Sequence, residues 1–107
     1  MSVYTRRLGA VRFAEGGTLL MHTAAAGKVT ILRDVIVGSS ADTPANVSIY
    51  IETGTGQILW ILGIIALEQS QTVHLELRQE MLPGETLWAS GSPAPFTAMA
   101  TGYVFAE

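Results

Sequence analysis

Apolar and polar residues alternate along much of this chain with a period of two, the spacing of a β-strand that turns one face inward. The cleanest case is Val73, Leu75 and Leu77 against His74, Glu76 and Arg78. Val47, Ile49 and Ile51 alternate in the same way with Ser48, Tyr50 and Glu52. Residues 27–39 are denser and are the stretch around which the rest is arranged. Val29, Thr30, Ile31, Val35, Ile36 and Val37 are β-branched, stiff at χ1 and suited to a pleated surface. By parity, Val29, Ile31, Arg33, Val35 and Val37 form the apolar face of this strand. Thr30, Leu32, Asp34, Ile36 and Gly38 form a face that is half apolar. Apolar residues on both sides predict a central strand covered on both faces.

Turn chemistry separates the remaining segments. Strands are predicted over 4–13, 18–23, 47–52, 58–65, 73–78, 86–90 and 96–105, with Gly102 marking a bulge. Between them lie the glycine turn at 14–17 and the alanine-glycine turn at 24–27. A loop at 41–45 holds Pro44, and Thr53-Gly54-Thr55-Gly56 reads as a hairpin connection. Further breaks are a turn at 68–70, a Pro-Gly turn at 81–85 and a loop at 91–95. The result is all-β: an antiparallel β-sandwich of about eight strands, jelly-roll-like. It forms one domain over 1–107, with 1–17 as a basic N-terminal strand or arm. No internal repeat or linker interrupts it.

Residues 58–65 have no polar face. Helical periodicity fits them too, but their length and β-branching favour a strand. Ile58, Trp60, Leu62 and Ile64 occupy one parity, and Leu59, Ile61, Gly63 and Ile65 the other. Only one face of a sandwich strand points into the core. The other must be covered by a loop or by another subunit, and the gaps between strands are short. A closed homo-oligomer is expected, with Trp60, Leu62 and Ile64, or the opposite parity set, at its interface.

Composition sharpens this expectation. Charged residues make up 14% of the chain and apolar ones 49%, against about 25% charged in an average domain. Such a surface is either rich in Ser and Thr or partly buried against other copies. Residues 1–33 carry a net +4 and residues 34–107 a net −7, for −3 overall. Arg6, Arg7 and Arg12 therefore either pack beside acidic strands of the same domain or reach onto an acidic neighbour. The negative net charge, with no recurring basic-aromatic face, argues against a nucleic-acid partner. The longest apolar run is ten residues, half of a membrane span of about 20, and the N-terminus has no signal-peptide pattern. No membrane partner is expected.

Candidate chemistry is sparse. There is no cysteine. His22 and His74 lie in different strands without metal-ligand spacing, so no metal site is read from them. No Gly-x-Ser-x-Gly elbow, P-loop or dinucleotide fingerprint occurs, and no catalytic residue or cofactor is assigned. Asn46-Val47-Ser48 matches a glycosylation sequon, a pattern common by chance. Arg33, Asp34 and Arg78, with Glu76 and Glu80, are read as a structural cross-strand charge cluster. Trp60, Trp88 and Tyr50 could stack on a sugar, but core or interface packing accounts for them more simply.

Residues 23–37, Thr-Ala-Ala-Ala-Gly-Lys-Val-Thr-Ile-Leu-Arg-Asp-Val-Ile-Val, resemble a strand of small virion proteins from tailed bacteriophages. Leu75-Glu76-Leu77-Arg78, Leu82-Pro83-Gly84-Glu85-Thr86-Leu87 and Thr101-Gly102-Tyr103-Val104-Phe105 look like later segments of that family, in the same order. Ala25 and Ala26 depart from its usual Pro-Ala. The resemblance spans residues 18–105 and implies a non-enzymatic structural subunit of the capsid-decoration (cement), spike-base or tail-associated type. It further implies a homo-oligomer, most simply a trimer, in contact with virion proteins such as the major capsid protein. The implied location is the virion, assembled in the host cytoplasm. The alternative is a tail or baseplate-associated receptor or carbohydrate-binding module.

Overall fold

The computed structural model describes residues 2–13, 17–39, 45–67, 71–92 and 96–106, with side chains described except at 2–7, 10–13, 39, 45, 64, 65, 92 and 106. Eight strands follow one another: β1 (Ser2–Phe13), β2 (Gly17–Thr23), β3 (Lys28–Ser39), β4 (Ala45–Glu52), β5 (Ile58–Leu67), β6 (Thr72–Met81), β7 (Thr86–Ser92) and β8 (Phe96–Ala106). The expected strands are all present. Met81 extends β6 instead of opening a turn, Ala45 starts β4 instead of ending a loop, and Gly91 and Ser92 extend β7. The predicted turn at 68–70 lies outside the described residues, as do residues 14–16 of the turn at 14–17, 41–44 of the loop at 41–45 and 93–95 of the loop at 91–95.

The strands form two four-stranded antiparallel sheets, ordered β1-β8-β3-β6 and β2-β7-β4-β5. Pairing β1 with β8, β2 with β7, β3 with β6 and β4 with β5 makes one long ribbon. Rolling the ribbon so that alternate pairs fall in opposite layers gives the jelly roll. Its tip is the β4–β5 hairpin, where Thr53 N–H donates to the Gln57 carbonyl at 2.8 Å and Gly56 takes a φ of 86°. At a crossing between layers, Leu82-Pro83-Gly84-Glu85 closes through Glu85 N–H to the Leu82 carbonyl at 3.0 Å. Pro at its second position and Gly84 at φ 90° are the residues a type II turn requires. The Glu85 carboxylate accepts from Leu82 N–H at 2.8 Å, which satisfies a polar side chain that is itself buried.

The core lies between the layers. Leu32, Val35, Val37, Met81, Phe96, Ala98 and Ala100 face Met21, Val47, Ile49, Ile51, Leu87 and Ala89. Burying each of the larger aliphatic side chains stabilises the fold by about 1.5–3 kcal/mol.

β3 is a central strand, but its parity differs from the expected one. Leu32 pairs with Gly102 and Asp34 with Thr101, so Arg33 is an extra residue on β3 relative to β8. This bulge flips the strand: Thr30 and Leu32 are buried before it, Val35 and Val37 after it. The opposite face is only partly covered, with Arg33 exposed and Ile31, Asp34 and Ile36 half-buried. Gly102, expected at a bulge, lies directly opposite this one. A Cβ there would sit 2.1 Å from the Ile31 carbonyl oxygen.

Candidate subunit interface

The two sheets differ in charge. The strands of the β2-β7-β4-β5 sheet contain one formally charged residue, Glu52. All six lysines and arginines lie in the other sheet. In β4 and β7 the inward positions are Val47, Ile49, Ile51, Leu87 and Ala89. Strict alternation then turns Ser48, Tyr50, Glu52, Thr86, Trp88 and Ser90 outward.

Register gathers the outward side chains into rows. Leu20 pairs with Trp88, Trp88 with Tyr50, and Tyr50 with Trp60. One row thus crosses all four strands, about 14 Å at the usual inter-strand spacing. The Tyr50 and Trp60 rings meet edge to face, with centroids 5.4 Å apart, a favourable aromatic cross-strand pair. Trp88 keeps its indole N–H satisfied by donating to Thr86 Oγ1 at 2.8 Å. Trp60 is nonetheless 58% exposed and Leu20 46%. On one side of this row lie Thr18, Ser90 and Ser48, with Thr18 and Ser90 hydroxyls 3.0 Å apart. These hydroxyls line an open concavity of about 440 Å³, together with Asn46. On the other side lie Thr23, Thr86, Glu52 and the 47%-exposed Ile58. An aromatic centre, a hydroxyl rim and scarce charge are the marks of a protein interface.

The expected interface residues separate. Trp60 stands on the outward row. Leu62 does not share its face: Tyr50 pairs with Trp60 and Ile49 with Leu62, so Ile61 is an extra residue in β5. That irregularity turns Leu62 toward the core, against which both it and Ile61 pack. A second shift follows, because Val47 pairs with Ile65. Ile64 lies in this second irregularity, and its side chain is outside those described. Leu20 and Trp88 complete the row, and only the strand order reveals them as its members. Ser2–Phe13 is an edge strand whose sole partner is β8, which bears no charge. Among the described residues, the ladder neighbour of basic β1 is thus an uncharged strand. Arg6, Arg7 and Arg12 stand in register with Gly102, Thr101 and Thr97, and their side chains are outside those described.

The charge cluster is also rearranged. β3 and β6 do pair, but the one base–carboxylate contact within salt-bridge distance among the described residues is the hydrogen bond from His74 Nε2 to Asp34 Oδ1 at 2.8 Å. Arg33 instead lies over the Tyr103 ring, 5.3 Å from its centroid, and donates to the Tyr103 hydroxyl at 3.5 Å. Arg78 is exposed on β6. The hydrogen bond from His74, followed by that from Thr101 Oγ1 at 3.2 Å and the nearby Arg33 charge, holds the Asp34 carboxyl below its ordinary value. The other histidine, His22, is half-buried with its Nε2 3.4 Å from the Thr30 hydroxyl of the opposite sheet.

Strand order, antiparallel pairing and layer number define the class: an eight-stranded jelly-roll sandwich. Among solved structures it is similar to the infectious bursal disease virus T13 particle protein, with TM-score 0.63 and 13% identity over 99% of this chain. It is similar too to the VP2 protein of that virus in T=1 particles, with TM-score 0.61 and 13% identity over 96% of the chain. The chain spans only 31% of each of these viral chains. The Drosophila NLP core, described for pentamer formation and histone binding, is similar over nearly the whole length of both chains (98% and 99%), with TM-score 0.53 and 13% identity. No family model and no curated protein matches the sequence.

Proposed function

We propose that this chain is a non-enzymatic structural subunit of a virus particle that associates with copies of itself through the outer face of the β2-β7-β4-β5 sheet. The observation that carries the proposal is the Leu20–Trp88–Tyr50–Trp60 row on a sheet with a single formal charge. A free surface of that kind is unusual on a monomer. The fold shared with capsid proteins supports the viral setting, and the subunits of both viral and NLP-type neighbours are described in multi-copy assemblies. The sequence resemblance narrows the reading to a tailed-phage virion, as a decoration or spike-base subunit. It is a trimer there, with the major capsid protein as a further partner.

Particles banded from a culture that carries the gene should contain the chain in stoichiometric amount. Recovery of the chain solely from the unsedimented fraction would remove the particle role. A second reading rests on the hydroxyl-lined concavity beside the aromatic row: a receptor module whose Trp60 stacks on a sugar ring. Saturable quenching of tryptophan fluorescence by an oligosaccharide, with no self-association, would favour that reading.

A further inference from the structure

The remaining chemistry lies on the opposite side of the molecule, at the edge of the charged sheet. His74 and Glu76 are two residues apart on β6 and project from the same face. Asp34 stands directly opposite Glu76 on β3. One ligand atom from each of the three falls within 4.8 Å of the other two. His74 Nε2 is already 2.8 Å from Asp34 Oδ1, and Thr101 Oγ1 donates to the other oxygen, Oδ2, at 3.2 Å. Asp34 is thereby held from β8 through Oδ2, with Oδ1 on His74 of β6.

Like charges directly opposed across a strand pair are unfavourable. Here two carboxylates face each other, and no lysine or arginine among the described residues forms an ion pair with either. Arg33, next to Asp34 in sequence, lies on Tyr103 instead. Among the described residues His74 is the one basic side chain within salt-bridge distance of Asp34, and the Arg33 charge acts on it from farther off.

We propose that Asp34, His74 and Glu76 form a binding site for a divalent cation of the zinc class on the solvent face of the β1-β8-β3-β6 sheet, with Thr101 positioning Asp34. The inference is independent of the particle role. One imidazole nitrogen and two carboxylate oxygens suit zinc and its first-row neighbours. Calcium and magnesium instead demand a fuller oxygen shell. Four-coordinate zinc has bonds of about 2.0–2.2 Å, which sets neighbouring ligand atoms roughly 3.3 Å apart. The Asp34–His74 contact opens by about half an ångström to meet this, and Glu76, exposed and free to rotate, swings inward. Both backbones stay fixed by the ladder. The His74 and Asp34 side chains are 47% and 37% exposed, so solvent reaches the remaining coordination position. Sequence spacing misses the site because Asp34 lies 40 residues from His74 and meets it only through strand register.

Calorimetric titration of the metal-free full chain with zinc chloride tests this. One site per chain is expected, with micromolar affinity, unaffected by millimolar magnesium or calcium. His74→Ala should abolish it. Glu76→Gln, a fold-neutral change at an exposed position, should weaken it at least tenfold. Thr101→Val should weaken it about tenfold, as loss of an outer-shell partner does. Cobalt(II) in place of zinc should give visible absorption bands that vanish in His74→Ala. Absence of a saturable heat, or zinc binding unchanged in both His74→Ala and Glu76→Gln, would overturn the proposal.

Discussion

Gly102 shows how much one missing side chain decides. It is buried in β8, opposite the β3 bulge, and its lack of a Cβ lets the Ile31–Leu32 backbone approach. In Gly102→Ala the methyl group would lie 2.1 Å from the Ile31 oxygen, so two central strands must part. A loss of about 1–3 kcal/mol in stability is expected, the usual range for overpacking, read as a lower denaturation midpoint in guanidinium. Asp34 makes a pH-dependent contribution. Its carboxyl is held below the ordinary 3.8 by its hydrogen bonds to His74 and Thr101. In the metal-free protein that stabilisation is therefore present above 3.8 and is lost as the pH falls through the lower folded value. Asp34→Asn should lower stability at neutral pH and make the acid limb of the unfolding profile shallower. An identical acid limb in the variant would contradict this. Gly102 was recognisable in the sequence as a break in an otherwise regular strand. The Asp34–His74 pair was not, because it depends on which strands become neighbours.

At the scale of elements, turn residues and β-branched runs placed all eight strands. Gly56 and Gly84, both at positive φ, end the strands that flank them, and the rise of the β4–β5 hairpin follows from that chemistry. Gly84→Ala forces an alanine into the left-handed region and should cost about 1–2 kcal/mol, without altering self-association. Thermal unfolding measured beside sedimentation would separate the two effects. What period-two reading missed was the bulges. Arg33 in β3 and Ile61 in β5 each add a residue and exchange the faces beyond it. That is why Val29 and Ile31 do not share the buried side of Val35, and why Leu62 parts from Trp60. Nothing in the local sequence distinguishes an extra residue from a regular one. The cause is the fit of the backbone against the partner strand.

Across the whole molecule, charge is sorted by sheet. The sequence already carried the tension behind this: residues 58–65 are apolar on both parities, and one core cannot take both. The sequence did not disclose that the exposed row runs through Leu20 and Trp88 on strands far away along the chain. Since Trp60 is largely exposed in the single chain, Trp60→Asp should leave the circular dichroism spectrum of the monomer intact while abolishing association. A charge in that row would be buried by a second copy without water or partner.

The most direct measurement is sedimentation velocity on the wild-type chain at micromolar concentration. One dominant species is expected at a small whole multiple of 11.4 kDa, three chains in the proposed assembly, and Trp60→Asp should convert it to monomer. A wild-type protein that sediments as a stable 11.4 kDa monomer throughout that range would contradict it.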